Sequence, residues 1–119
     1  MQFHFEKLLV WRDAMDLVTE IYQATKAFPR EERYGLTDQL RRAVVSISAN
    51  IAEGRGRYHT KEFVQFLYIA RGSLYETITL LKAASSLVYL QPKEVNALLV
   101  QCQRVGSKLS GLINSLRSQ

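Results

Sequence analysis

Apolar residues recur every three or four positions along four separate stretches of this 119-residue chain. This spacing is the period of an α-helix with one buried face, and no stretch keeps the period of two that indicates a β-strand. The pattern predicts helices over residues 6–27, 37–53, 60–89 and 92–116. Because the connections between them are short, we predict an all-α, antiparallel up-down-up-down four-helix bundle that uses residues 1–119 as one domain.

Local signals predict where these helices begin and end. Thr37 and Thr60 are suitable N-cap residues for the second and third helices. Gly54 is expected to end the second helix, because glycine readily adopts the left-handed conformation that follows a helix. Pro92 suits the first turn of the fourth helix, where the missing N–H group has no helical partner.

Composition narrows the class of protein. Hydrophobic residues make up 47% of the chain and charged residues 23%, which is typical of a globular protein. Cys102 is the single cysteine and has no partner for an intramolecular disulfide. No uncharged run approaches the ~18 residues that a membrane span requires. We therefore expect a cytoplasmic protein that does not associate with membranes.

Basic residues outnumber acidic ones by sixteen to eleven, which gives a formal charge of +5 and favours polyanionic partners. In the loop that follows the second helix, Arg55 and Arg57 can contact phosphates and Tyr58 can stack on a base. The alternative is that these arginines pair with Glu53 and Glu62. The candidate nucleic-acid-binding residues are Arg30, Arg33, Arg41, Arg55, Arg57 and Lys61.

The third helix carries more apolar surface than one core face needs. Tyr68, Ile69, Tyr75 and Leu80 lie off its main apolar stripe, and Gly72 would let another backbone approach closely. Aromatic residues are enriched in protein interfaces, so this surface predicts a contact between subunits. The alternative is that the tyrosines only border the core, with their hydroxyl groups in water.

A polar seam runs along the second helix at spacings of three and four. Its members are Gln39, Arg42, Ser46, Asn50 and Glu53. Polar groups near a core need hydrogen-bond partners, so Arg42 is expected to pair with Glu53 or with Glu76 of the third helix. Asn50 is expected to bond to a neighbouring backbone group. We interpret the seam as a network that fixes helix register or subunit contacts.

No group of residues predicts catalysis, a metal or a cofactor. A hydrolytic site needs a base, a nucleophile and an oxyanion site within reach of one another, and no such set is present. His4 and His59 have no second ligand at metal-binding spacing. The Gly54-Arg55-Gly56 stretch lacks the strand and the remaining glycines of a nucleotide fingerprint. We therefore predict a non-enzymatic protein without cofactor or metal.

Short motifs along nearly the whole chain point to a known family. They are Trp11-Arg12-Asp13-Ala14, Phe28-Pro29, Tyr34-Gly35-Leu36, Gln39-Leu40-Arg41-Arg42-Ala43, Ser46-Ile47, Asn50-Ile51-Ala52-Glu53-Gly54, Phe63, Phe66-Leu67 and Ala70-Arg71-Gly72-Ser73-Leu74-Tyr75-Glu76. Together they resemble the bacterial four-helix bundle family first noted in 23S rRNA intervening sequences. The block from Gln39 to Gly54 is the most specific part of this resemblance.

The resemblance implies a ring-like homopentamer with no assigned enzymatic activity. The same family includes the accessory variability determinant of diversity-generating retroelements, a basic pentameric barrel that binds nucleic acid and associates with a reverse transcriptase. The partners implied are therefore copies of the chain itself, RNA or DNA, and a reverse transcriptase. We predict a scaffold that contacts nucleic-acid backbones, and the alternative is a scaffold for protein partners with no nucleic-acid role.

Overall fold

The computed structural model describes residues 1–119 and contains four α-helices and no strand. The helices are α1 (Leu9–Thr25), α2 (Leu36–Arg55), α3 (Thr60–Ser86) and α4 (Pro92–Arg117). Each helix packs against the next helix in the chain, and α1 also packs against α4, whereas the backbones of the diagonal pairs do not approach closely. The prediction of an all-α protein with four helices is confirmed.

One hydrophobic core runs through the bundle. It contains 24 buried residues, which come from all four helices and, at Phe28 and Leu90, from the connections between them. Their spacing in α1 illustrates the pattern, because Val10, Ala14, Leu17 and Ile21 all lie on the inner face. None of the helices combines the length and the apolar composition that a membrane crossing requires.

The α1 helix begins at Leu9 rather than at residue 6. Residues His4–Lys7 form a separate 3-10 turn. The Glu6 carboxylate accepts the Phe3 N–H at 2.6 Å, and the Glu6 carbonyl accepts Nε of Arg12 at 2.8 Å. In an α-helix that began at residue 6, the Glu6 carbonyl would accept a backbone N–H from four residues later in the chain. It accepts the Arg12 side chain instead, so the predicted start of the first helix is wrong by three residues.

The α2 helix begins at Leu36, and Thr37 is not its N-cap. Thr37 lies within the first turn and is buried. The Leu36 N–H instead donates to Oε1 of Glu32 at 3.0 Å, so a carboxylate from the preceding turn satisfies one free amide of the helix start. The Glu32 Oε2 atom accepts the Tyr89 hydroxyl at 2.9 Å. These two bonds lower the pKa of Glu32 from its ordinary value, because both favour the carboxylate.

The α2 helix continues through Gly54 and ends at Arg55, so the predicted role of Gly54 is wrong. No glycine has a positive φ angle. Gly54 is buried, and a Cβ atom placed there would lie 2.6 Å from Cβ of Phe66. Glycine is therefore required at this position by the close approach of α2 and α3, and not by the end of the helix.

The α3 helix ends at Ser86, three residues before the predicted Tyr89. Val88 adopts a left-handed conformation with φ of 61°. Its N–H donates to the Ser85 carbonyl at 3.0 Å, and the Tyr89 N–H donates to the Ala84 carbonyl at 2.9 Å. This pair of bonds is the Schellman motif, in which the position of Val88 is usually occupied by glycine. The α3 start also differs from the prediction, because His59 and not Thr60 holds the N-cap position.

Val88→Gly is expected to raise the free energy of unfolding by about 1 kcal/mol, because a β-branched residue is unfavourable in the left-handed region. Val88 is largely exposed, so little packing is lost. Urea denaturation of the two proteins measures the difference. The control is Val100→Gly, an exposed position inside α4, where the same change should cost about 0.5 kcal/mol. An equal loss in both variants would contradict the prediction.

Candidate nucleic-acid interface

A groove lined by cations lies where α1 ends and α2 begins. It has a volume of about 380 Å³. We call it the cationic groove, and its lining consists of Thr25, Lys26, Phe28, Pro29, Arg30, Arg33, Thr37 and Arg41. Half of these residues carry a positive charge and none carries a negative one. Such a surface attracts anions, because the positive potentials of its lining residues add and no lining residue is a carboxylate.

Arg41 is held in the cationic groove by the last turn of α1. Its Nε donates to Oγ1 of Thr25 at 2.9 Å, and its Nη2 donates to the Tyr22 carbonyl at 3.4 Å. The guanidinium also lies 4.6 Å from the centre of the Tyr22 ring. A helix C-terminus favours a nearby cation. None of these partners is a carboxylate, so no ion pair offsets the positive charge of Arg41.

Arg30 and Arg33 project from the short 3-10 turn that precedes α2. Both side chains are exposed. Glu32 belongs to the same turn, but its two oxygens bond to Leu36 and Tyr89, and it does not line the cationic groove. The turn therefore places Arg30 and Arg33 in the groove lining, while the Glu32 carboxylate bonds to the start of α2 and to Tyr89.

The other three candidate cations lie at the opposite end of α2. Arg55, Arg57 and Lys61 are exposed and occupy the end of α2, the loop and the start of α3. Arg41 and Arg55 are separated by fourteen helical residues, which correspond to about 21 Å along the axis. The six candidate nucleic-acid-binding residues thus form two clusters. We call the Arg55, Arg57 and Lys61 group the loop cluster.

The loop cluster has no acidic partner. The alternative considered for the sequence, that its arginines pair with Glu53 and Glu62, is wrong, since neither glutamate forms an ion pair. Arg57 instead lies 4.7 Å from the centre of the Phe66 ring. In the whole chain only Arg42 and Lys108 form ion pairs, with Asp38 and Asp13 respectively.

Two further cations, Lys26 and Arg117, belong to these surfaces and were not among the candidate residues. Lys26 lines the cationic groove. Arg117, from the end of α4, shares a second groove with Lys61 and Tyr68, and its Nη1 donates to the Tyr68 hydroxyl at 3.0 Å. The antiparallel order of the helices, in which α4 ends where α3 begins, is the signal that could have identified Arg117.

The polar seam joins α2 to α3. The Oγ atoms of Ser46 and Ser73 are 2.9 Å apart, and Nδ2 of Asn50 donates to the Ser46 carbonyl at 2.8 Å. The predicted bond from Asn50 to a neighbouring backbone group is confirmed. The Ser46–Ser73 bond crosses between the helices and fixes the register of α2 against α3, whereas the Asn50 bond lies within α2.

The predicted partner of Arg42 is wrong. Arg42 bonds to Asp38 at 3.0 Å on the same helix face, with both side chains largely in water. Asp38 lies one helical turn away, whereas Glu53 lies eleven residues further along α2, about 16 Å. Glu53 and Glu76 are exposed. An exposed pair such as Arg42 with Asp38 adds little stability.

On the outer face of α3, no other part of the chain covers Gly72. Nothing lies within 4 Å of where a Cβ atom of Gly72 would be. Tyr68, Ile69 and Tyr75 surround it and are 37%, 53% and 57% exposed. We call these four residues the α3 face. Leu80 does not belong to it, because Leu80 is buried in the core, contrary to the prediction that it needs an outside partner.

Groups that could perform redox or metal chemistry do not come together. No group of three or more histidine, cysteine, aspartate or glutamate side chains is close enough to hold a metal ion. Cys102 is buried in the core, and burial raises the pKa of its thiol to about 12. A thiol in this state is not a nucleophile at neutral pH.

The fold and these surfaces define a small antiparallel four-helix bundle with a cationic cluster at each end. The family model described as 23S rRNA-intervening sequence protein matches residues 6–111, and the chain belongs to this family. The resemblance inferred from the short motifs is thereby confirmed.

A similar solved structure is the crystal structure of a protein with unknown function from the S23 ribosomal protein family of Bacteroides thetaiotaomicron VPI-5482. Its TM-score is 0.79, and the alignment covers 88% of this chain and 98% of that chain at 19% identity. At this identity the likeness shows the fold alone. A comparison with curated proteins gives no significant match.

Proposed function

We propose that this protein is a non-enzymatic, homo-oligomeric scaffold that binds nucleic acid through its cationic clusters. The observation that carries the proposal is the cationic groove, where Lys26, Arg30, Arg33 and Arg41 converge without a carboxylate. Phosphates are the partners that such a set of cations recognises, since arginine donates several hydrogen bonds to phosphate oxygens. Contacts of this kind position a nucleic acid without reading its sequence.

The proposed assembly rests on the α3 face. A glycine in the middle of an exposed helix costs about 1 kcal/mol relative to alanine. Gly72 meets this description, and the apolar residues around it remain in water within one chain. Contact with a second copy would cover them and would let the two backbones approach at Gly72. Five copies, the number that the family resemblance suggests, would carry a formal charge of about +25.

An association with a reverse transcriptase stays a prediction of the same resemblance. None of the contacts described above is assigned to it. The cationic clusters are compatible with holding a nucleic-acid template, because binding through phosphates leaves the base edges free.

The proposal predicts that Arg30→Gln/Arg33→Gln weakens binding to structured RNA or duplex DNA about tenfold in low salt. The slope of log affinity against log salt concentration should fall by about 1.5–2, because two phosphate contacts and their released counterions are lost. Fluorescence anisotropy across a salt series measures both quantities. Both side chains are exposed, so the fold should be unchanged.

The control is Lys82→Gln/Arg104→Gln, which removes the same charge from exposed positions outside both clusters. Arg104 lies in the groove between α1 and α4 together with Glu20 and Glu94. This control should keep most of the affinity. Equal losses in both variants would assign binding to net charge alone. No binding by the unaltered protein at low salt would overturn the proposal and favour the alternative of a scaffold for protein partners.

A further inference from the structure

Each end of α2 carries an arginine followed directly by a tyrosine. Arg33-Tyr34 comes just before the helix, and Arg57-Tyr58 comes just after it. Tyr34 is 87% exposed and Tyr58 is 93% exposed. The other four tyrosines are all less exposed, and three of these bond to or lie beneath an arginine or glutamate of a different helix or turn. These three are Tyr22, Tyr68 and Tyr89.

Leaving a whole tyrosine ring in water forgoes the stabilisation that burial of a large apolar side chain provides. The neighbouring groups do not cover these two rings. The Arg33 guanidinium lies 5.5 Å from the centre of the Tyr34 ring, and His59 meets the Tyr58 ring edge-on at 4.9 Å. Both rings therefore have a flat surface open to a ligand.

From this arrangement we infer that the bound nucleic acid is single-stranded, and that Tyr34 and Tyr58 each stack on an unpaired base. The inference rests on the proposed function and specifies its ligand. The Arg33 guanidinium lies beside the Tyr34 ring, and Arg57, which packs on Phe66, directly precedes Tyr58 in the chain. Each arginine can hold a phosphate near the stacked base, which is the combination that non-specific single-strand binding uses. A duplex would not use the rings, because its bases are already stacked on one another.

The two rings lie at opposite ends of α2, whose twenty residues span about 30 Å. A single strand that contacts both ends therefore passes along the length of the bundle. The Arg41 side chain lies between them in sequence and is fixed by α1 in the cationic groove. Stacking at the two ends and phosphate contacts between them would hold such a strand without dependence on its sequence.

The test compares two single strands of about twenty nucleotides that carry the same phosphates. One is oligothymidine, and the other is an abasic strand of the same length. We expect the unaltered protein to bind oligothymidine at least tenfold more tightly than the abasic strand, since stacking contributes about 1–3 kcal/mol per base. A uridine strand should behave like oligothymidine, which distinguishes base stacking from recognition of the sugar.

Two double variants assign the preference to the rings. Tyr34→Ala/Tyr58→Ala should lose most of the preference for oligothymidine, whereas Tyr34→Phe/Tyr58→Phe should keep it, because phenylalanine retains the ring. Affinity for the abasic strand and its salt slope should be the same in all three proteins. Unchanged thermal unfolding of the variants controls for folding.

The results separate this inference from the proposed function. Salt-dependent binding of the abasic strand with no preference for oligothymidine would overturn the inference and leave the proposed function intact. Tighter binding of a duplex than of oligothymidine, or a preference that survives in the alanine variant, would also overturn it. If neither strand nor duplex binds at low salt, the proposed function itself fails.

Discussion

Gly54→Ala is expected to lower the free energy of unfolding by about 2 kcal/mol and the unfolding midpoint by about 8 °C. The added methyl group would lie 2.6 Å from Cβ of Phe66 and 3.0 Å from Cδ1 of Phe63. Neither neighbour can withdraw by a simple rotation, because Phe66 is met at its Cβ atom and Phe63 is buried. The two helices must therefore separate, and this cost exceeds the gain of about 1 kcal/mol from replacing a helical glycine.

The matched control is Gly111→Ala in α4. Gly111 is exposed, and nothing lies within 4 Å of where its Cβ atom would be. The same chemical change should therefore raise the free energy of unfolding by about 1 kcal/mol. Urea denaturation at equal protein concentrations measures both variants. Stabilisation of both proteins would mean that α2 and α3 are less closely packed than the distances at Gly54 indicate.

Gly54 also illustrates which parts of the fold the sequence could predict. The helices were predictable because each repeats a buried residue every three or four positions, and the pattern is read locally. Their ends depend on residues far away in the chain. The Leu36 amide is satisfied by a carboxylate that also binds Tyr89, more than fifty residues later. Gly54 must lack a side chain because Phe66 of another helix packs against it, so the presence of a glycine alone suggested the wrong role.

The candidate site was likewise only partly predictable from the sequence. The identity of the basic residues could be read directly, but their grouping in space could not. Arg41 and Arg55 are close in sequence but far apart in space, because both belong to α2 and most of the length of that helix lies between them. Lys61 and Arg117 are far apart in sequence and line the same groove because α3 and α4 are antiparallel. The predicted antiparallel order of the helices is sufficient to place the end of α4 beside the start of α3, and therefore Arg117 beside Lys61.

Partners across the polar seam were predictable only where they are local. Asn50 bonds to Ser46 one turn away, as the spacing indicated. The pairing of Ser46 with Ser73 requires the register between α2 and α3, which no pattern within one helix contains. Arg42 shows the converse, since a distant partner was expected and Asp38 on the same helix is nearer.

The second large effect is expected for Gly72→Leu, which should convert the proposed homo-oligomer into monomers or weaken its association about a hundredfold. The α3 face is proposed to contact a second copy at Gly72, where the absence of a side chain permits close approach. A leucine there would hold the two backbones apart and remove the contacts of Tyr68 and Tyr75 on both sides. Sedimentation equilibrium over a range of protein concentrations measures the association.

Loss of association in this variant cannot be attributed to unfolding, because leucine favours a helix over glycine by about 1 kcal/mol and the position is open within one chain. The isolated Gly72→Leu subunit should therefore retain its helical circular dichroism. Gly111→Leu makes the same change at the other open glycine and should leave assembly intact. If Gly72→Leu associates as strongly as the unaltered protein, the α3 face is not the contact between subunits, and its exposed tyrosines need another partner.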